Sequence, residues 1–179
     1  MNTTQLEQPI PLSLNLFQDW SANRGNFKGR IILFFFRLAV FIRRTPGLSV
    51  IFFLYLITYR LIIEWFLNIE LHWNVRVGKG LRLEHGHATV VNGSAIIGSN
   101  CVIRHLTTIG NKQLKDGSFS LAPQLGNNVD IGANVSIIGA IVIGDNVIIG
   151  TGAVVTKSVP AGCTIVGNPA RILHRSTEY

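Results

Sequence analysis

The chain has 179 residues, enough for one catalytic domain with an added segment, and its hydrophobic content of 47% against 14% charged residues is high for a monomeric soluble protein. That balance predicts apolar surface that meets other subunits or a membrane, with oligomerisation the simpler explanation. The net charge of +7 is spread out, Arg43-Arg44 is the only adjacent basic pair, and no aromatic pattern interleaves the cations. No nucleic-acid partner is therefore expected, whereas a small anionic co-substrate or an anionic lipid surface accounts for the same charge.

Residues 1 to 28 are polar and turn-rich and hold the run Asp19-Trp20-Ser21-Ala22-Asn23-Arg24-Gly25-Asn26. The first residues lack the basic, apolar and small-residue regions of a secretion signal, and Cys101 and Cys163 show no paired spacing. A reduced cytoplasmic setting is the expectation.

Residues 30 to 69 are strongly apolar and read as two helices, over about 30–43 and 48–68, broken by Thr45-Pro46-Gly47. Arg37, Arg60 and Glu64 interrupt the zone, and its longest uncharged run, Thr45 to Tyr59, falls short of the roughly 18–20 residues a bilayer span needs. An intersubunit packing face is the first reading of this zone and peripheral membrane contact, at the inner face of the cytoplasmic membrane, the second. Residues 1–69 are thus expected to form an N-terminal helical segment, and residues 70–179 a second unit with a C-terminal tail.

From residue 70 onward aliphatic side chains recur every six positions, neither every two nor every 3.6. One register runs through Val91, Ile97, Ile103 and Ile109, and the same period returns at Leu125, Ile131, Ile137, Ile143, Ile149 and Val155. Glycine follows the aliphatic residue at 98, 110, 126, 132, 144 and 150, and Asn or Asp clusters at the next corners, as in Gly126-Asn127-Asn128 and Gly144-Asp145-Asn146, residues that tolerate the left-handed backbone of a tight corner. Each hexad makes one flat side of a triangular coil, so the aliphatic residues stack inside a prism. An ordinary parallel sheet would need helical crossovers for which there is no room. The fold predicted is mainly β: a left-handed parallel β-helix of hexapeptide repeats preceded by an N-terminal α-helical segment.

Because such a core is passive, function is expected where the register fails. The step from Leu83 to Val91 is eight instead of six, and the surplus falls on Glu84-His85-Gly86-His87, so that corner must bulge and turn side chains outward. A second break, over residues 111–124 with Lys112, Lys115, Asp116 and Gly117, reads as a loop leaving the prism. Between the breaks, His105 takes a corner slot of the hexad Ile103 to Thr108.

The runs Glu70-Leu71-His72, Val77-Gly78-Lys79-Gly80 and Leu83-Glu84-His85, with Thr107-Thr108-Ile109-Gly110-Asn111 and the ending Val154 to Pro160 and Gly167 to Ile172, resemble the serine acetyltransferase group of hexapeptide acyltransferases. Arg104-His105 with Ile109-Gly110-Asn111, and the opening Asp19-Trp20 with Asn23, are closer to its bacterial exopolysaccharide branch, which includes the colanic acid acetyltransferases. The resemblance covers roughly residues 15 to 173 and implies acetyl-CoA-dependent O-acetyl transfer with no metal required. It makes His85 the general base and Glu70, fifteen residues upstream, the carboxylate that orients it, with Glu in place of the family's aspartate. Glu84 and Asp19 correspond to acceptor-side carboxylates, and His105 faces the same region. Acetyl-CoA is expected in a groove between neighbouring prisms, against Gly110, Asn111, Gly132, Ala133, Gly150 and Thr151, its phosphates met by Lys157 and Arg171. A homotrimer, with helical segments able to pair trimers, belongs to that picture.

Serine acetyltransferases carry an Arg-His pair before a proline in the extended loop, whereas Phe119-Ser120-Leu121-Ala122-Pro123-Gln124 holds no cation to clamp an amino acid carboxylate. The expected acceptor is therefore a sugar hydroxyl in a surface-polysaccharide precursor, lipid- or nucleotide-linked, with serine O-acetylation of cysteine biosynthesis as the alternative. A trimeric zinc hydratase is a rival reading, but His85, His87 and His105 lack the required ligand spacing. A non-catalytic solenoid is the other.

Overall fold

The computed structural model describes residues 15–173. A turn-rich segment leads into α1 (Phe27–Arg44), followed by α2 (Leu48–Ile51), α3 (Phe53–Tyr59) and α4 (Arg60–Phe66), the last π-helical. Fifteen short strands follow: β1 (Ile69–Leu71), β2 (Arg76–Val77), β3 (Arg82–Glu84), β4 (Thr89–Val91), β5 (Ile96–Ile97), β6 (Val102–Arg104), β7 (Thr108–Gly110), β8 (Gln124–Leu125), β9 (Asp130–Ile131), β10 (Ser136–Ile138), β11 (Val142–Ile143), β12 (Ile148–Ile149), β13 (Val154–Val155), β14 (Thr164–Val166) and β15 (Arg171–Leu173). The Asn26 side chain accepts a hydrogen bond from the Gly29 N–H and so starts α1, and Arg43 and Arg44 lie in its last turn, favourable for the helix dipole. The second helix expected over 48–68 is not continuous: the backbone is interrupted at Phe52 and then widens, the Leu67 N–H reaching the Ile62 carbonyl. Leu56, Tyr59, Ile63 and Glu64 face inward from these pieces.

The strands build three parallel faces of a prism. One face carries β1-β4-β7-β10-β13, the second β2-β5-β8-β11, and the third β3-β6-β9-β12-β14, with β15 antiparallel at its end. Every hexad aliphatic residue from Val77 to Val155 named above is buried, and together they fill the prism axis. This is the left-handed parallel β-helix with a preceding helical segment. Ile69 pairs with Thr89, a coil of 20 residues, and Val90 with Thr108, a coil of 18, so the surplus of the first coil lies in its last corner. Ser136 pairs with Thr108, a coil of 28 residues, because residues 111–123 leave the face and return.

The corner residues divide their tasks differently from the sequence expectation. Left-handed backbone falls on Asn100, Asn128, Asn134 and Asn146, whereas the preceding glycines at 98, 126, 132 and 144 have no positive φ. Those glycines are required by proximity: a Cβ on Gly98 would overlap the Gly126 carbonyl of the next coil, and one on Gly132 would lie 2.6 Å from the Thr151 amide nitrogen. Coils spaced at hydrogen-bonding distance leave no room for a methyl group there.

A prism cut at its first coil exposes unpaired main-chain groups on all three faces, an invitation to edge-to-edge association. Here the N-terminal segment satisfies them. Asp19, 3% exposed, forms an ion pair with Arg37 at 2.7 Å and accepts the Leu81 N–H at 2.9 Å. Arg37 donates onward to the Val77 and Gly78 carbonyls at 2.8 and 2.7 Å. Asn23 bonds the Leu81 carbonyl and the Leu83 N–H, Asn26 the Leu83 carbonyl, and the Tyr59 hydroxyl the Leu71 carbonyl. Burial pushes the Tyr59 hydroxyl well above the usual phenol range, which keeps it a neutral donor.

Two stability tests follow from this packing. Gly98→Ala should cost about 1–3 kcal/mol, the usual scale of overpacking against backbone, while Asn100→Gly stays within about 0.5 kcal/mol, both read by denaturant unfolding. Asp19→Ala should lower stability by about 3–5 kcal/mol by stranding a buried guanidinium, and the double change Asp19→Ala with Arg37→Met should recover part of that loss. A double variant as unstable as the sum of its singles would show that the pair is not coupled.

Candidate active site

Four corners stack along the prism edge that leads from the third face into the first: residues 85–88, 105–107, 132–135 and 150–153. In the first of these, His85 has φ +63, Gly86 +63 and Ala88 +52, three left-handed residues where the next coil needs only Leu106. The Gly86 N–H reaches the Glu84 carbonyl at 2.7 Å and the His87 N–H reaches the His85 carbonyl at 2.9 Å, so the two surplus residues are wound into consecutive tight turns. Gly86 is obligatory: a Cβ would meet Leu83 of the core at 2.9 Å. The effect is to turn both His85 and His87 out of the prism, exposed, at one corner.

His105 sits one coil below and completes a cluster of three imidazoles. Its ring centroid lies 5.6 Å from that of His85, edge-on, and 5.1 Å from that of His87, stacked at 14°. The His105 Nδ1 atom is buried and has no hydrogen-bond partner. Beside the cluster, Glu84 of β3 (Arg82–Glu84) is held by Arg82 and, at 2.9 Å, by Arg104 of β6 (Val102–Arg104). Arg104 also pairs with Asp130 and donates to the Ile131 carbonyl. Its hydrogen bond to Asp130 raises the guanidinium above its ordinary value. Glu84 is thus fixed in orientation yet still partly exposed, able to accept a further donor.

The remaining expected site residues divide into two groups. Gly132, Ala133, Gly150 and Thr151 lie on the same corner stack as the imidazoles, and Arg171 opposite Val166 lies at its far end. Five strand steps of about 4.8 Å, from β3 to β15, put Arg171 roughly 24 Å from His85. Gly110, Asn111 and Lys157 stand instead at the other edge of the first face, after β7 (Thr108–Gly110) and β13 (Val154–Val155). They do not join the imidazole corner within one chain.

One expectation is corrected. Asp19 is not presented to an acceptor: both carboxylate oxygens are committed to Arg37 and Leu81 in the interior. Glu70 is exposed at the centre of β1, opposite Val90 on the first face, the face that begins just after the His85 corner. Arg82, Arg104 and Asp130 were missed as a site network. Their signal was the register itself, which sets Glu84 beside Arg104 on adjacent coils.

The two thiols do not offer a covalent route at this corner. Cys101 is in the core, where burial pushes it up to about 11, and Cys163 lies just before β14 (Thr164–Val166).

Residues 122–157 match the family model for the bacterial transferase hexapeptide, six repeats. The chain is 41% identical over 109 residues to a serine acetyltransferase of Synechococcus elongatus, covering 61% of this chain and 44% of that protein's length. It is 38% identical over 118 residues to the putative colanic acid biosynthesis acetyltransferase WcaB of Escherichia coli K12, covering 65% of this chain and 70% of that protein. The fold superposes on soybean serine acetyltransferase complexed with serine with a TM-score of 0.73 and 32% identity, over 88% of this chain and 68% of the soybean chain. The chain belongs to the hexapeptide-repeat acyltransferases, in the group that holds the serine acetyltransferases and the colanic acid biosynthesis acetyltransferases.

Proposed function

We propose that this chain transfers an acetyl group from acetyl-CoA to a hydroxyl of a sugar in exopolysaccharide or related glycan assembly. The observation that carries the reading is the widened first corner, which takes an imidazole out of a solenoid surface and sets it, exposed, at the head of a glycine-lined edge. An O-acetyl transfer needs one group to take the hydroxyl proton and later return it to the leaving thiolate. His85 is the side chain we assign that task. The acceptor oxygen forms its bond to the thioester carbonyl as the proton passes to His85, and the C–S bond then breaks as the imidazolium protonates sulfur. Glu84, clamped by Arg82 and Arg104, would receive a second hydroxyl of the acceptor. His105, its ring packed against those of His85 and His87, would order the two. The pantetheine arm would run along the corner at Gly132, Ala133, Gly150 and Thr151, with Arg171 near its phosphates. Gly110, Asn111 and Lys157, on the other edge of the same face, would reach the cofactor from the neighbouring prism of a trimer.

The sugar acceptor is favoured by the coverage of a colanic acid biosynthesis relative and by a loop, Phe119 to Gln124, without a cation. Serine is the second reading, supported by the 41% identity to a serine acetyltransferase. The two separate by following thiol release from acetyl-CoA with L-serine and with a panel of nucleotide- and lipid-linked glycans. Turnover with a glycan is expected, and robust turnover with serine alone would overturn the choice. His85→Ala should lower kcat by about 100-fold or more, the usual scale for a general base, with coil content unchanged by circular dichroism. Near-normal turnover would remove His85 from the role. Cys101→Ala should leave kcat within about threefold, since a buried neutral thiol is no nucleophile.

A further inference from the structure

Beside the imidazole corner the helical segment encloses a second feature that acetyl transfer to a soluble sugar does not require. A groove of about 620 Å³ runs between α1 and the α3–α4 pair, walled by Ile31, Phe35, Tyr55, Thr58, Ile62 and Ile63. That volume lies within the range of small-molecule sites. Its walls have almost no polar character to offer: the Tyr55 hydroxyl donates to the Phe35 carbonyl at 2.8 Å, Tyr59 to Leu71, and the Thr58 hydroxyl to the Leu54 carbonyl at 2.8 Å. Such walls cannot replace the hydration of a sugar or a nucleotide, but they match a hydrocarbon chain.

One charged side chain lines the groove, Lys28, and its position decides what kind of chain fits. The Lys28 ammonium reaches the carbonyl oxygen of His85 at 3.3 Å, so the groove ends where the widened corner begins. That bond uses one of three donors, and the remaining two are free for an anion. Reading outward from His85, the surface therefore presents an imidazole, an ammonium and then an apolar channel. An acceptor of matching order has a sugar hydroxyl, a phosphate and then a hydrocarbon tail. Beyond the groove the same apolar character continues onto exposed Phe53, Leu54, Leu61, Trp65 and Phe66. An exposed apolar face carrying aromatic residues suits the surface of a bilayer, where a lipid-borne acceptor resides.

Resting on the glycan reading above, we infer that the groove between α1 and α3–α4 binds the isoprenoid chain of a polyprenyl-phosphate-linked sugar, with its phosphate on Lys28 and the sugar hydroxyl at His85. The tail supplies binding energy remote from the reacting bond and fixes which sugars reach the imidazole. Free or nucleotide-linked sugars lack that hold.

The test compares acceptors that share one sugar, taken from the panel above, and differ in carrier: a farnesyl diphosphate linkage and a uridine diphosphate linkage. The full chain should use the farnesyl-linked sugar with a kcat/KM at least about tenfold higher, and Thr58→Trp, which fills the groove, should remove that preference while KM for acetyl-CoA stays constant. Binding is read separately, without acetyl transfer, by intrinsic fluorescence with farnesyl phosphate. The full chain should bind it, Thr58→Trp should not, and Lys28→Met should weaken farnesyl phosphate but not farnesol. Equal use of both carriers, failure of farnesyl phosphate to bind, or unaltered binding by Thr58→Trp would each overturn the inference while leaving glycan acetylation standing. A Thr58→Trp chain that changes assembly mass in sedimentation but keeps its carrier preference would show that a second copy covers the groove, which also overturns it. Acetylation of serine and of no glycan would instead remove the reading on which the inference rests.

Discussion

The first coil of a prism has no predecessor, and the way this chain satisfies that coil's open edge determines the rest of the molecule. Asp19, Asn23, Asn26, Arg37 and Tyr59 together meet main-chain groups of Leu71, Val77, Gly78, Leu81 and Leu83, one set on each of the three faces. Unpaired buried backbone groups cost several kcal/mol each in sum with the desolvation of their neighbours, so the cap cannot be lost without exposing the edge to another chain. Because the cap is assembled from both the turn segment and α1, it also fixes α1 against the corner that follows β3. Lys28 reaches the His85 carbonyl for that reason. The segment that closes the solenoid is thus the one that builds the surroundings of its imidazole.

A regular prism presents outward side chains only along flat faces and at single left-handed corner residues, and neither gives a converging group of side chains. Two extra residues change this. At the first corner three left-handed residues replace one, and the backbone folds back on itself twice within four residues. His85 and His87 then project together above His105, and Glu84 remains on the adjoining strand in its arginine clamp. Conformational cost is concentrated at His85 and Ala88, where side chains accept an unfavourable φ that Gly86 between them adopts freely, and is met by the packed coils on which the corner rests.

Much of this was legible in the sequence, for a physical reason. The hexad aliphatic residues have no choice of environment inside a prism so narrow, hence period six maps directly onto burial, and a departure from six maps directly onto a bulge. The loop over 111–123 and the corner at 84–87 were visible as counting errors in the repeat. What was not legible depended on contacts between distant segments. Asp19 and Arg37 read as one site carboxylate and one interruption of an apolar helix, yet they are 18 residues apart and join in the interior. The fifteen-residue spacing of Glu70 and His85 suggests adjacent coils, but the first coil is 20 residues long, a length that only the strand pairing gives. Glycines after each aliphatic residue read from the sequence as corner conformers, whereas Gly98, Gly126 and Gly132 serve approach between coils and Asn100, Asn128 and Asn134 take the left-handed φ.

The same logic separates the two halves of the proposed chemistry. Positions along the corner at Gly132, Ala133, Gly150 and Thr151 are set by the coil spacing alone, so any prism of this repeat offers a comparable edge to an extended thioester. Acceptor selection has no such generic source. It must come from what is added to the prism, and among the described residues two additions exist: the loop over 111–123 and the N-terminal segment with its cap. The loop carries Lys112 and Lys115 on its surface but leaves the stretch before β8 (Gln124–Leu125) without charge. The N-terminal segment places an ammonium and an apolar groove within reach of His85. In the proposed chemistry, selectivity on the acceptor side would belong to the segment that also closes the first coil, so changes in α1 would alter the substrate only within the limits set by Asn26 and Arg37 as parts of the cap.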